Sequence, residues 1–370
     1  MPLTTCQADP SITRNVKGTF RFPLGVYPVE ELTPRAGYVM EFEPADGGSG
    51  EADWEEWPDR YVFDIVLSAE KVPALCRQLF SMMPSRVYPI LDILGHDAYR
   101  EIDPYISYEL VGTDRFLDNV TRYKDFLFED GMCGFGAMCE APFFYVFVDE
   151  HKIVTVRVDA ARKDKLEKLL EAFDLEASAP GREPVGADGT AHEHRSVLMV
   201  PDDAPQLLGP EEILEHLRDD WRLVMNVDPE TNLDEEGKDL GVTPWRCVVR
   251  CEPTDQDESP RRYAEVLLEA DCLRQAEETA FEAADGLRAR DKLEDKYEDA
   301  TVISAERLGR ETLRGLLGSG EGRRKGSKKG RKASGGRAKE SASPEGASAA
   351  EMPEEGSEAG GRVLRVRWIG

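Results

Sequence analysis

One stretch, residues 142–175, limits the choice of fold more than any other part of the chain. Residues 143–148 form an unbroken apolar and aromatic run, which predicts a central strand covered on both faces. Four polar residues of hairpin length follow, and residues 153–158 then alternate between apolar and polar. A helical stripe of leucines begins after the candidate N-cap Asp159. The stretch therefore predicts strand, turn, strand and helix in succession.

Composition divides the rest of the chain into segments. Its 370 residues favour two domains plus unstructured material. Proline and glycine without apolar periodicity indicate a linker after the first domain, and a later segment almost free of apolar residues is typical of disorder. The predicted segments are an extended or loop-rich N-terminal part (1–59), a first α+β domain (60–175), a linker (176–195), a second α+β domain (196–318), a disordered low-complexity segment (319–361), and a terminal alternating strand that returns to the second domain (362–370).

The order of elements predicts an α+β fold. In the first domain a strand, a helix, two strands, a helix and a strand at 126–128 precede the hairpin and helix described above. Such an order is typical of a mostly antiparallel sheet with helices on one face, as in a split βαβ or ferredoxin-like sandwich. We expect both domains to have this architecture.

Charge and cysteine content restrict the partners and the compartment. The formal net charge is -26, which disfavours the folded body as a binder of nucleic acid or anionic membrane. There is no apolar run long enough to span a bilayer, and the N-terminus lacks the pattern of a secretory signal. Seven scattered cysteines, an odd number, favour reduced thiols. We therefore expect a cytoplasmic protein with no membrane partner.

A glycine- and cysteine-rich segment, residues 131–140, precedes the central strand. A turn containing Gly-x-Gly can direct backbone N–H groups at an anion, so this segment is a candidate ligand-facing loop as well as a plain structural turn. Its candidate ligand-binding residues are Cys133, Gly134, Phe135, Gly136 and Cys139. The dinucleotide fingerprint does not fit, because a strand and not a helix follows the glycines. Two cysteines without a second pair are weak support for zinc.

An acidic segment, residues 228–239, matches a calcium loop in the spacing of its oxygen-bearing side chains. The candidate calcium ligands are Asp228, Glu230, Asn232, Asp234, Glu236 and Asp239. However, Leu233 occupies the position where the sharp turn of such a loop prefers glycine, and strands rather than helices flank the segment. A solvated acidic hairpin loop is the competing interpretation.

Five histidines are present, and their positions along the chain do not bring them together. His192 and His194 lie in the predicted linker, where a flexible pair could bind metal adventitiously. A defined site would need further ligands supplied by the fold. His96 and His151 look like turn residues, and His216 lies on a predicted helix. The sequence alone therefore predicts no histidine metal centre.

The segment 323–339 holds nine basic residues and no acidic one. A basic disordered segment can bind nucleic acid through phosphates, or can contact the acidic body of its own chain. Aromatic residues are not interleaved with the charges, so base stacking is not indicated. The candidate nucleic-acid contacts are Arg323, Arg324, Lys325, Lys328, Lys329, Arg331 and Lys332, with Arg337 and Lys339 beyond them.

Three functional hypotheses follow from these observations. The first is a cytoplasmic, non-enzymatic binding or scaffold protein whose partner is another protein and which needs no cofactor. The second is weak, sequence-independent association with nucleic acid through residues 323–339. The third is an enzyme with an active site near the 131–140 segment, since many active sites leave no local motif.

Overall fold

The computed structural model describes residues 5–45, 58–179, 181–199, 207–254, 261–318 and 360–369. The chain forms two compact units. Unit 1 consists of Met1–Gly95 and Ile102–Val227, and unit 2 consists of His96–Glu101 and Asp228–Gly370. Both are mixtures of helices and mostly antiparallel strands, so the α+β class is confirmed. Among the helices described, none is both long and apolar enough to cross a bilayer.

Unit 1 is built mainly from strands. They are β1 (Val16–Lys17), β2 (Phe20–Arg21), β3 (Val26–Pro28), β4 (Gly37–Glu43), β5 (Arg60–Val66), β6 (Arg86–Leu94), β7 (Ile102–Ile106), β8 (Val111–Gly112), β9 (Cys133–Glu140), β10 (Phe143–Val148), β11 (Val154–Val158), β12 (His192–His194) and β13 (Val224–Met225). Its helices are α1 (Val72–Phe80), α2 (Thr113–Arg122), α3 (Lys124–Glu129), α4 (Lys163–Ala172) and α5 (Pro210–Trp221).

A nine-stranded sheet organises unit 1. Its strands run in the order β13-β7-β6-β9-β10-β11-β5-β4, and β8 pairs with β6. The predicted hairpin is β10–β11, in which Val146 lies opposite Val156. The apolar stripes of all five helices join one core cluster with the inward side chains of these strands. On the opposite face Tyr145 and Phe147 are only half-buried, so β10 is fully covered on one face rather than on both.

Unit 2 contains the remaining elements. They are β14 (Thr243–Pro253), β15 (Arg262–Ala270), α6 (Leu273–Arg290), β16 (Tyr297–Arg307), α7 (Arg310–Gly318) and β17 (Arg362–Ile369). The sheet order is β16-β14-β15-β17, with every neighbouring pair antiparallel. Helix α6 contacts all four strands. Fully buried Ala276 and Ala280 let its backbone approach the sheet closely.

A buried ion pair ties residues 96–101 into unit 2. Asp97 and Arg307 have side chains that are 0% and 4% exposed, and Arg307 Nη2 lies 2.9 Å from Asp97 Oδ1. Arg307 also donates to Asn232 Oδ1 and to the Leu233 carbonyl. Because these partners satisfy both charges, the pair can be held in a dry interior.

The structure divides the chain at places that differ from the predicted boundaries. The N-terminal part, predicted as loop-rich, contributes β4 to the large sheet of unit 1. The predicted linker 176–195 lies against unit 1 through β12, which pairs with β3. Residues 196–227, predicted to open the second domain, belong to unit 1, because the buried face of α5 joins its core. The apolar stripe of a helix shows that one of its faces is buried. It does not show which of two cores that face joins.

Two local predictions were wrong. Residues 126–128 belong to helix α3, whose three apolar residues are all buried, so their unbroken run suited a helix as well as a strand. Residues 133–140 form strand β9 and not a turn. The sheet requires glycine at Gly134 and Gly136, because a Cβ at either position would collide with the Phe147 ring.

Some predictions fall outside the described residues. They include the disorder of residues 319–359, the nucleic-acid segment 323–339 within it, and the acidic stretch 46–57. The alternating segment at the end of the chain is described, and as β17 it pairs with β15 along Arg362–Ile369.

Candidate metal centre

The turn between β10 and β11 holds His151 in a fixed position. Asp149 accepts a hydrogen bond from the Ile153 backbone N–H at its Oδ1 (2.8 Å), and its carbonyl accepts one from the Lys152 N–H (3.1 Å). Lys152 has a left-handed backbone conformation (φ 65°). Its buried side chain turns inward, where the ammonium donates to the Cys133 carbonyl. Because Asp149 and Lys152 are both anchored, His151 is held in place at the turn of the hairpin.

Strand β12 presents two more histidines to the same place. In a strand, alternate residues share a face, so His192 and His194 point one way and Glu193 the other. Glu193 accepts a hydrogen bond from the Tyr27 hydroxyl across the β3–β12 pair. The register, with His192 opposite Pro28, fixes the strand along β3. The spacing His-x-His therefore gives two imidazoles on one face.

The three imidazoles form a compact cluster, which we call the histidine triad (His151, His192 and His194). Ring centroids lie 4.5 Å apart for His151 and His192 and 4.8 Å apart for the two other pairs. The ring planes are inclined by 71–83°, close to perpendicular. One nitrogen from each ring lies within 4.8 Å of the others. Three imidazoles this close together are a candidate ligand set for a single ion.

Hydrogen bonds set which nitrogen of each ring faces that centre. His192 Nδ1 lies 2.8 Å from the Thr190 carbonyl oxygen, and His194 Nδ1 lies 2.9 Å from the Gly131 carbonyl oxygen. A carbonyl can only accept, so in both rings Nδ1 carries the hydrogen. The lone pair of each neutral ring is then on Nε2. Such a bond from the outer nitrogen is the usual support of a histidine that ligates a metal.

His151 is supported by carboxylates instead of a carbonyl. Its Nδ1 lies 3.4 Å from Glu150 Oε1 and 3.6 Å from Asp149 Oδ2. Its Nε2 lies 2.8 Å from His192 Nε2. Two lone pairs at that separation repel, so the contact needs a proton or a cation between the rings. On one tetrahedral zinc ion, with Zn–N bonds of about 2.0 Å, two nitrogens lie roughly 3.3 Å apart. A small opening of the pair would reach that geometry.

The electrostatics of the triad favour a cation. Burial lowers the pKa of His151, but Asp149, Glu150 and Asp188 outweigh burial and raise it above its ordinary value. Burial and the positive field of the two other rings lower the pKa of His194, although the Gly131 carbonyl opposes this. His194 is thus held as the neutral imidazole that a metal requires. The acidic surroundings add attraction for a divalent ion.

The predicted ligand-facing residues lie within strand β9 rather than in a loop. Cys133 and Cys139 lie on the core face of β9, where burial raises the pKa of Cys133 to about 12 and that of Cys139 to about 11. Each thiol contacts a backbone carbonyl, of Phe126 and Pro142 respectively. Such protonated, enclosed thiols are poor nucleophiles and poor metal ligands. The segment contributes in another way, since Gly131 supplies the carbonyl that anchors His194.

The predicted calcium ligands are not brought together. Leu233 bridges to Asp239, so the chain folds back as a tight hairpin instead of wrapping an ion. Asp228, Asp234 and Asp239 cap backbone N–H groups of their own turns. Glu230 pairs with Arg274, and the Asn232 amide is buried between Gly241 and Thr243. In the described chain, grouped metal-ligand side chains occur only around His151.

Sequence reasoning missed the triad for a definite reason. His151 and His192 are 41 residues apart, and residues around His192 had the composition of a linker. The alternation His-Glu-His was the available signal, because only a strand places both rings on one face. The other two histidines lie elsewhere: His216 contacts the Tyr123 hydroxyl, and His96 belongs to unit 2.

Comparison with known proteins adds no assignment. No protein-family model, no curated protein and no solved structure matches the chain.

Proposed function

We propose that unit 1 binds a divalent transition metal ion of the zinc type through Nε2 of His151, His192 and His194. The proposal is carried by one observation: the outer nitrogens of His192 and His194 are bonded to carbonyls, while one ligand nitrogen of each of the three rings lies within 4.8 Å of the others. Imidazole ligands suit zinc, copper, nickel and iron rather than calcium or magnesium. Zinc is the reference ion because it accepts tetrahedral nitrogen coordination without redox chemistry.

The metal would link two parts of unit 1 that are distant in sequence. It would join the β10–β11 turn to strand β12, which pairs with β3 over three residues. Binding to the folded state alone stabilises that state in proportion to the logarithm of metal concentration. The proposal therefore includes a structural contribution of the ion to unit 1.

Metal stoichiometry on the full chain is the direct test. After chelator treatment and dialysis against zinc, we expect one zinc per chain by elemental analysis, and its loss in His192→Ala and His194→Ala. His96→Ala and His216→Ala are matched controls, because these histidines lie outside the triad. Equal zinc content in the wild type and in a variant lacking all three triad histidines would refute the proposal.

The expectations drawn from the sequence stay proposals beside this one. A binding or scaffold role toward another protein is compatible with a structural metal. Weak, sequence-independent nucleic-acid binding by residues 323–339 is supported by nine basic residues without an acidic one. A mobility shift at two salt concentrations, on the whole chain and on a variant lacking residues 323–339, tests it. Equal binding by both chains would remove it.

The finer fold assignment is also a proposal. In unit 2, β15 and β16 flank β14, each antiparallel to it, and α6 connects them, which supports a split βαβ arrangement there.

A further inference from the structure

We infer that the ion held by the histidine triad keeps one coordination position open, which water occupies and a small anion can take. This inference rests on the proposed metal binding. It assigns the site to the class of three-histidine centres that present an exchangeable ligand, rather than to closed structural centres.

The triad offers three protein ligands. Structural zinc sites are closed by four side chains, whereas sites with three protein ligands leave a fourth position to water or substrate. Within the described residues, the two groups with metal-ligand geometry are the triad itself and Asp149, Glu150 and His151. The second group shares His151, so Asp149 and Glu150 are candidates for a fourth protein ligand.

Those carboxylates lie at the outer nitrogen of His151. Glu150 and Asp149 approach His151 at Nδ1, with separations of 3.4 and 3.6 Å. Nδ1 and Nε2 point to different sides of the imidazole ring, and Nε2 faces His192. The carboxylates therefore support the His151 ring from behind, in the manner of a carboxylate–histidine–metal arrangement. They leave the fourth position on the ion unfilled.

The triad is partly open to solvent. All three histidines are half-buried, and the His151 side chain is 16% exposed. The cavity that touches His151 has a volume of about 10 Å³, and neither His192 nor His194 lines it, so it is not a chamber at the centre of the triad. The described residues thus offer solvent contact at the triad but no chamber for a large substrate there. Water and small anions are the ligands of the right size.

The chemistry of the bound water follows from the ion. A divalent zinc ion with neutral nitrogen ligands lowers the pKa of its water to about 7, which yields a hydroxide nucleophile near neutral pH.

Cobalt substitution and azide provide the test on the full chain. Cobalt(II) reports its coordination in the visible spectrum. We expect saturable changes with one azide per bound cobalt in the wild type. We expect the same changes in Glu150→Gln and Asp149→Asn, with cobalt affinity lowered about 10–100-fold in those variants. Retention of the azide response would place the carboxylates outside the coordination sphere.

Two outcomes would overturn the inference while leaving metal binding intact. One is a cobalt spectrum that azide does not change. The other is an azide response seen only in Glu150→Gln or Asp149→Asn, which would mean that the wild-type carboxylate fills the fourth position. A chain that takes up no cobalt would instead refute the proposed function, so the two failures are distinguishable.

Discussion

At the scale of single residues, Gly131 acts through its backbone, because its carbonyl orients His194. A Cβ there would lie 2.2 Å from the Gly25 carbonyl oxygen, a backbone atom that cannot move aside. Gly131→Ala should displace the carbonyl that orients His194, lower zinc affinity about 10–100-fold and destabilise unit 1 by about 1–3 kcal/mol. Competition with a chromophoric chelator measures the affinity.

Gly286→Ala is the matched control for that substitution. Gly286 is an exposed residue of α6 in unit 2, and a Cβ there meets nothing within 4 Å. The alanine should stabilise the helix by about 0.5–1 kcal/mol and leave zinc affinity unchanged. Unchanged zinc affinity in a folded Gly131→Ala chain would contradict the assigned role of the Gly131 carbonyl.

Asp92 makes the stability of the folded chain depend on pH, with the opposite sign to most carboxylates. Burial, with a smaller contribution from Glu150, raises the pKa of Asp92 from 3.8 to about 6. The folded chain therefore holds this proton at higher pH than the unfolded chain does. The stability it contributes is complete below about pH 4 and is lost as pH rises to about 6.

Asp92→Asn should remove that dependence. Because the side chain is only half-buried, we expect the variant to be more stable than the wild type at pH 7 by about 1–2 kcal/mol and nearly equal to it at pH 4. Urea unfolding at both pH values, with chelator present, measures the difference. A gain of the same size at both pH values would show that titration of Asp92 is not its cause.

At the scale of elements, strand β12 is the piece whose stability should depend on metal. It pairs with β3 over three residues, and strands that short open readily. Zinc should slow amide hydrogen exchange at His192–His194 and in the β10–β11 turn. His151→Ala should abolish that protection although it leaves β12 itself unaltered. Equal exchange with and without zinc would show that the ion does not secure the strand.

The same elements show how far the sequence could predict the fold. Strands with clear alternation or an unbroken apolar run, such as β10, β11 and β17, were identifiable because their pattern is local. The helical stripe of α4 was also local, although the helix begins at Lys163 and Asp159 caps the turn before it. Residues 126–128 show the limit, since their apolar run fits two structures.

The site was less predictable than the fold. The face shared by His192 and His194 needed β12 to be recognised as a strand, and only its pairing with β3 makes it one. The approach of His151 depends on the tertiary path of residues 159–191, which no spacing rule encodes. Conversely, the calcium pattern at residues 228–239 was present in the sequence. In the fold, however, the Asn232 side chain forms hydrogen bonds with Arg307 and Thr243.

At the scale of the whole molecule, two compact units predict two separable unfolding steps. Zinc should raise the temperature of one calorimetric transition only, because the triad lies in unit 1. At a free concentration of 100 times the dissociation constant, zinc should add about 2.7 kcal/mol. Asp97→Asn should lower the other transition, because it leaves Arg307 uncompensated in the interior of unit 2, at a cost of about 3–5 kcal/mol.

Glu230→Gln is the control for the loss of an ion pair. Glu230 and Arg274 are 49% and 58% exposed, so breaking that pair should change stability by less than about 1 kcal/mol. A single transition shifted by both zinc and Asp97→Asn would refute independent unfolding of the units.

The pairing of Asp97 with Arg307 also has a consequence for the nascent chain. The two residues are separated by 210 positions, and Asp97 lies in a six-residue excursion from unit 1. At synthesis rates of about 5–20 residues per second, Asp97 is synthesised roughly 10–40 s before its partner Arg307. Unit 1 can complete its large sheet in that interval with residues 96–101 still unengaged. A ribosome paused before Arg307 would therefore display a finished unit 1 with an acidic loop awaiting its partner, a state in which chaperones and proteases could reach that loop.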